Sequence, residues 1–176
     1  MIEEQTAVDE FTETSNQKRP KLLNVLLFLS GVYIAGNFLG VVNSLIGGPL
    51  SEEQLEAELS NLYTSAADLQ ATGAGEQFGR IIETMIDNAI YINNEAFMAT
   101  NLSTLLTLVI GALSVFLMFK LKKVGFHLYI AYSLLPIITM YMITPMELIL
   151  TFSVVTTVVI GSIFSILYGM NLKYMK

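Results

Sequence analysis

The chain has no cysteine and no tryptophan, one histidine, four prolines, and only 14% charged side chains among its 176 residues. Without cysteine, disulfides, thiol redox chemistry and thiolate metal sites are excluded. Nine lysines and arginines, scattered over short segments, form no basic stripe, so no nucleic acid partner is expected. A soluble chain averages about a quarter charged residues; here charge is scarce, and its scarcity is local. Leu22 to Gly48 has no ionisable side chain except Tyr33, and Ala96 to Phe119 has none at all. Val124 to Met146 has only His127 and tyrosines, and Leu148 to Leu172 has only Tyr168. A helix needs about 20 apolar residues to cross a hydrocarbon core. Each run is long enough, so the sequence predicts an all-α integral membrane protein with a bundle of four transmembrane helices.

Lysine and arginine resist translocation, so their distribution orients the spans. Lys18, Arg19 and Lys21 precede the first span, Lys120, Lys122 and Lys123 lie between the second and third, and Lys173 and Lys176 follow the fourth. With four spans these fall on one side, leaving Arg80 on the other. That side is expected to be the cytoplasm, with both termini in it. Residues 1–20 read as a cytoplasmic acidic tail, disordered because it has few apolar anchors. Its Glu3, Glu4, Asp9, Glu10 and Glu13 are the opposite of a signal peptide's basic start, so the first span, 21–48, reads as an uncleaved anchor.

Residues 49–95 form the one large connection, expected outside. Ser51-Glu52-Glu53-Gln54 fits a capping box, with Leu50 and Leu55 at the positions of a hydrophobic staple. Leu55, Leu59, Leu62, Ala66 and Leu69 recur at helical spacing, as do Phe78, Ile81, Ile82, Met85, Ala89 and Ile92. A glycine turn at Ala71–Gly75 separates the two faces. The expectation is an extracytoplasmic amphipathic helical hairpin, packed face to face or laid on the membrane. Leu55, Leu59, Leu62, Phe78, Ile82 and Met85 are its candidate partner-binding residues.

Residues 96–176 hold the three remaining spans and a short C-terminus. Lys120 to Lys123 with Gly125 reads as a tight turn. Thr144-Pro145-Met146-Glu147 reads as a helix start, with Thr144 as N-cap, Pro145 at the first helical position and Glu147 closing a capping box. Connections this short make spans two, three and four consecutive antiparallel neighbours.

In lipid, helices associate where small residues let backbones approach. Gly36, Gly40 and Ser44 in the first span, Ser103, Thr107 and Gly111 in the second, and Ser153, Thr157, Gly161 and Ser165 in the fourth recur every four positions. Such ridges pack the bundle on itself or serve a second protein. Pro136 lies inside the third span and removes the hydrogen bond to the Tyr132 carbonyl. Asn37, one turn after Tyr33, reads as a structural hydrogen bond to a neighbouring helix.

Candidate chemistry is sparse. His127 has no acidic companion within the spans and reads as interfacial, beside Phe126 and Tyr129. No span holds Asp, Glu, Lys or Arg at depth, which ion and proton pathways usually require. No nucleophile has a base nearby, and no phosphate loop appears. Glu52, Glu53, Glu56 and Glu58 match no calcium loop. No enzyme, cofactor or metal site is expected.

The segment Phe119-Lys-Leu-Lys-Lys-Val-Gly-Phe-His-Leu-Tyr129 resembles a hairpin of small, uncharacterised multi-pass bacterial membrane proteins. The resemblance covers the second and third spans and implies the bacterial inner membrane; it implies no activity. Claudins and tetraspanins fit poorly, because their outer tryptophan and cysteine signatures are missing. The expected function is therefore a non-catalytic accessory or scaffolding subunit, whose partners are the lipid bilayer and a membrane protein or a second copy. The alternative is a small-solute transporter or channel acting as an oligomer.

Overall fold

The computed structural model describes residues 19–71 and 76–176. Most of the acidic tail, the glycine turn, and the side chains of Ala66 and Leu69 fall outside the described residues. Six α-helices are described: α1 (Lys21–Gly47), α2 (Glu52–Ala71), α3 (Glu76–Asn94), α4 (Phe97–Phe119), α5 (Lys123–Ile143) and α6 (Thr151–Gly169). Two 3-10 turns, Met146–Leu148 and Leu172–Tyr174, follow α5 and α6. Four of these helices, α1, α4, α5 and α6, are long and apolar enough to cross a membrane. Their outer faces carry large apolar side chains, with Phe28 70% and Phe152 74% exposed. Hydrocarbon tolerates such a surface and water does not.

The order of packing follows from connection length. α4 lies against α1 and α5, and α6 lies against α5 and along the edge of α1. The core joining all four gathers toward one end, around Leu23, Leu26, Leu27, Met118, Tyr129, Tyr168 and Met175. The C-terminus is stitched to the same end: Lys123 N–H donates to the Lys176 carbonyl, and Lys176 N–H to that of Leu121. Arg19 places its guanidinium 3.8 Å from the centre of the Phe119 ring, a cation–π contact joining the start of α1 to the end of α4.

The α4–α5 turn departs from its sequence reading. Gly125 is not in the turn but inside the first turn of α5. The left-handed position is taken by Leu121, at φ 58°, a conformation that costs a side-chain-bearing residue energy. A Cβ on Gly125 would lie 2.6 Å from the Met118 backbone nitrogen and 2.8 Å from the Ser114 carbonyl oxygen. The glycine is needed for the close approach of two backbones, not for turn flexibility.

At the other end of α5, the hairpin helices meet through a core of Leu55, Leu59 and Ile86. The capping box forms as read: Gln54 N–H donates to Ser51 Oγ at 3.4 Å, and Ser51 N–H to Gln54 Oε1 at 3.1 Å. Leu50 packs on the same core, completing the staple. The base is closed by Asn93, whose amide accepts from Leu50 N–H at 2.8 Å and donates to the Leu50 carbonyl at 3.0 Å.

The helix start expected at Thr144–Glu147 is corrected. Thr144 instead caps the C-terminal end of α5, Met146–Leu148 make a 3-10 turn, and α6 begins at Thr151. Helix α3 supplies the reason. Tyr91 donates its hydroxyl to the Ile143 carbonyl at 3.0 Å, and Asn88 its amide to the Leu148 carbonyl at 3.1 Å. Partners distant in sequence satisfy the backbone of this turn, so it stays non-helical where local capping rules predict a helix.

Candidate functional site

The small-residue ridges separate into inward and outward ones. A Cβ on Gly111 would come within 2.7 Å of the Tyr132 ring and 3.2 Å of Ile34 Cδ1, so this glycine lies where α1, α4 and α5 converge. Thr107, one turn earlier, is buried and donates to the Ser103 carbonyl at 2.8 Å. On α6, a Cβ on Gly161 would approach Ser133 Cβ at 3.3 Å. Thr157 and Ser165 are half-buried beside it, and Ser153 is exposed. The α1 ridge is different. A Cβ on Gly36 or Gly40 would meet nothing within 4 Å, and Ser44 is exposed. Asn37 does not reach a neighbouring helix; its amide donates at 2.8 Å to the Tyr33 carbonyl of its own turn.

The hairpin's apolar residues divide in the same way. Leu55 and Leu59 are buried against Ile86, and Leu62 and Ile82 are half-buried on the same core. Phe78 and Met85 point outward, with Phe78 60% exposed. Of the six candidate partner-binding residues, only these two are exposed.

Several hollows border the spans among the described residues. An open apolar groove of about 940 Å³ runs between α1 and α4, past Phe28, Gly31, Ala35 and Phe116; its lining suits acyl chains. A hollow of about 200 Å³ lies between α3, α4 and α5, lined by Asn88, Ser103, Thr104, Thr107, Thr139 and Thr144. A third, of about 410 Å³, lies between α1, α5 and α6 and is lined by Ser30, Tyr33, Tyr129, Tyr132, Ser133 and Thr157 among others. Pro136 touches both of the latter.

The tyrosines around the third hollow are what sequence reasoning missed. The Tyr129 ring lies 4.7 Å from that of Tyr168 and 5.6 Å from that of Tyr132. Tyr168 donates to Ser30 Oγ at 2.9 Å. A signal was present: Tyr129 and Tyr132 are three apart and share a helix face. Nothing local marks Tyr33 and Tyr168 as their neighbours. Close by in the core, Ser114 is wholly buried, and its hydroxyl has no hydrogen-bond partner among the described residues. His127 is exposed, with Nδ1 3.0 Å from the Lys123 carbonyl and its ring edge-on to Phe126. No group of three His, Asp or Glu side chains among the described residues is arranged to hold a metal.

Comparison with protein-family models, with curated proteins and with solved structures finds no match for this chain.

Proposed function

We propose that the chain is a non-catalytic accessory or scaffolding subunit of a larger membrane protein complex in the bacterial inner membrane. The observation that carries this reading is the outward ridge of α1. Gly36 and Gly40 have open space beside them, whereas Gly111 and Gly161, at the same kind of spacing, are packed by their own bundle. A row of small residues on a lipid-facing helix lets another helix approach to backbone contact. Phe78 and Met85 add an apolar face on the hairpin at the far end.

Both termini are cytoplasmic in this reading, and the hairpin is outside. Arg19, Lys120, Lys122, Lys123, Lys173 and Lys176 are drawn to one end by the Arg19–Phe119 contact and the Lys176 hydrogen bonds. The convergence is what the positive-inside rule requires of one cytoplasmic face.

The test is purification in mild detergent of the wild type beside a Gly36→Leu/Gly40→Leu variant. Co-purifying membrane proteins that the variant loses at normal abundance support the scaffold reading. An unchanged partner set, or no partner, sinks it. A second reading, a solute transporter or channel acting as an oligomer, draws on the hydroxyl-lined hollows beside Pro136. Its signature is a homo-oligomer whose thermal stability depends on added solute.

A further inference from the structure

Tyr33 on α1, Tyr132 and Ser133 on α5, and Ile160 and Phe164 on α6 line one hollow of about 410 Å³. The size falls within the range of small-molecule sites, roughly 300–1,000 Å³. Tyr33, Ser133 and Ile160 sit near the middles of Lys21–Gly47, Lys123–Ile143 and Thr151–Gly169. At a rise of about 1.5 Å per residue, that is the depth of hydrocarbon, far from either headgroup layer. The floor is buried and held: Ser30 accepts from Tyr168, and the Tyr168 ring packs at a tilt against that of Tyr129. The rim is exposed at Leu29, Tyr33 and Ile160, so the hollow opens sideways toward lipid.

The hydroxyls determine what fits. Ser133 donates to the Tyr129 carbonyl and Thr157 to the Ser153 carbonyl, both within their own helices. The phenols of Tyr33 and Tyr132 donate to no group among the described residues. Acyl chains offer no acceptor, and a hydroxyl left without one in hydrocarbon is costly. No Asp, Glu, Lys or Arg lines the hollow, so a charged solute has no counter-ion there. What remains is a neutral molecule that brings an acceptor oxygen and surfaces able to lie against aromatic rings. We propose that this hollow is a binding site for a neutral, lipid-soluble ring compound bearing a carbonyl oxygen, which enters from the bilayer. The phenols of Tyr33 and Tyr132 donate to its oxygen, and their rings and Phe164 hold its body. The site goes beyond the scaffold reading and needs no partner protein.

Benzophenone is a suitable probe, being neutral, aromatic and carbonyl-bearing, and it cross-links to nearby C–H groups under light. Full-length protein purified in detergent is illuminated with it, and the adducts are mapped by mass spectrometry. The expected result is saturable labelling at Leu29, Ile160 or Phe164, displaced by fluorenone far better than by fluorene, which lacks the carbonyl. In Tyr33→Phe/Tyr132→Phe the half-saturating concentration rises on the order of ten-fold, the value of two neutral hydrogen bonds, with the melting temperature measured alongside. Labelling that scatters over the lipid-facing surface without saturating overturns the site. Equal displacement by fluorene and fluorenone in the wild type overturns the role of the phenols, whatever the variant's stability.

Discussion

The phenol of Tyr168 donates a 2.9 Å hydrogen bond to Ser30 Oγ, joining α6 to α1 across 138 residues. Tyr168 is wholly buried and Ser30 nearly so, so no water competes for either group. The bond ties together the first and last of the four long helices, which otherwise meet only along an edge. Tyr168→Phe keeps the ring against Tyr129 and removes the oxygen alone. Ser30 is then free to turn back to a carbonyl in its own helix, so the expected loss is modest, about 0.6 kcal/mol and at most about 1.7. Thermal melts of the two proteins in one detergent measure it. An unchanged midpoint would mean that helix packing, not this bond, holds α6 in place.

Glycines at similar spacing should differ sharply in tolerance. Gly125→Ala puts a methyl 2.6 Å from the Met118 backbone nitrogen, and a backbone cannot yield as a side chain does. A loss of at least about 1–3 kcal/mol is expected. Gly161→Leu should cost a similar amount against Ser133. Gly40→Leu has open space and should leave the melting temperature of the isolated protein unchanged. Equal stability of all three variants would refute the packing assigned to α4, α5 and α6.

The hairpin depends on one amide. Asn93 both accepts from and donates to the Leu50 backbone, closing the base below the Leu55–Leu59–Ile86 core. Asn93→Asp keeps an acceptor, loses the donor and sets a charge beside the Leu50 carbonyl. The expected cost is about 1–3 kcal/mol, confined to the hairpin. Hydrogen exchange should quicken in residues 50–62, with the long apolar helices unchanged. Uniform protection in the variant would show that the apolar core alone suffices.

Because the chain lacks cysteine, single cysteines report topology without background. Ala57→Cys on α2 should react with an impermeant thiol reagent applied from outside the cell, and Lys122→Cys should not. Labelling in the reverse pattern would invert the orientation.

The lengths of the four apolar runs were legible in the sequence to within a few residues, because the bilayer sets a minimum that composition must meet. The hairpin cap was legible too, since Ser51 and Gln54 are three residues apart and a capping box is a local device. The end of α5 was not. Thr144–Glu147 satisfies the local rule for a helix start, yet Tyr91 and Asn88, more than fifty residues earlier, hold that backbone in another form.

Which ridge faces inward lay entirely with the tertiary structure. Gly36 and Gly40 repeat the four-residue spacing of Thr107 and Gly111, and of Thr157 and Gly161, yet α1 turns them outward. In water, the hydrophobic face of a helix declares its inward side. In lipid, every face of a span is apolar, so the pattern of hydrophobicity leaves the rotation of each helix about its axis undetermined. Contact alone decided it: Ile34 and the Tyr132 ring seated at Gly111, and the Met118 backbone at Gly125. The tyrosine cluster follows from those rotations: spacing alone puts Tyr129 and Tyr132 on one face of α5, but nothing local shows that Tyr33 and Tyr168, on two other helices, join them there.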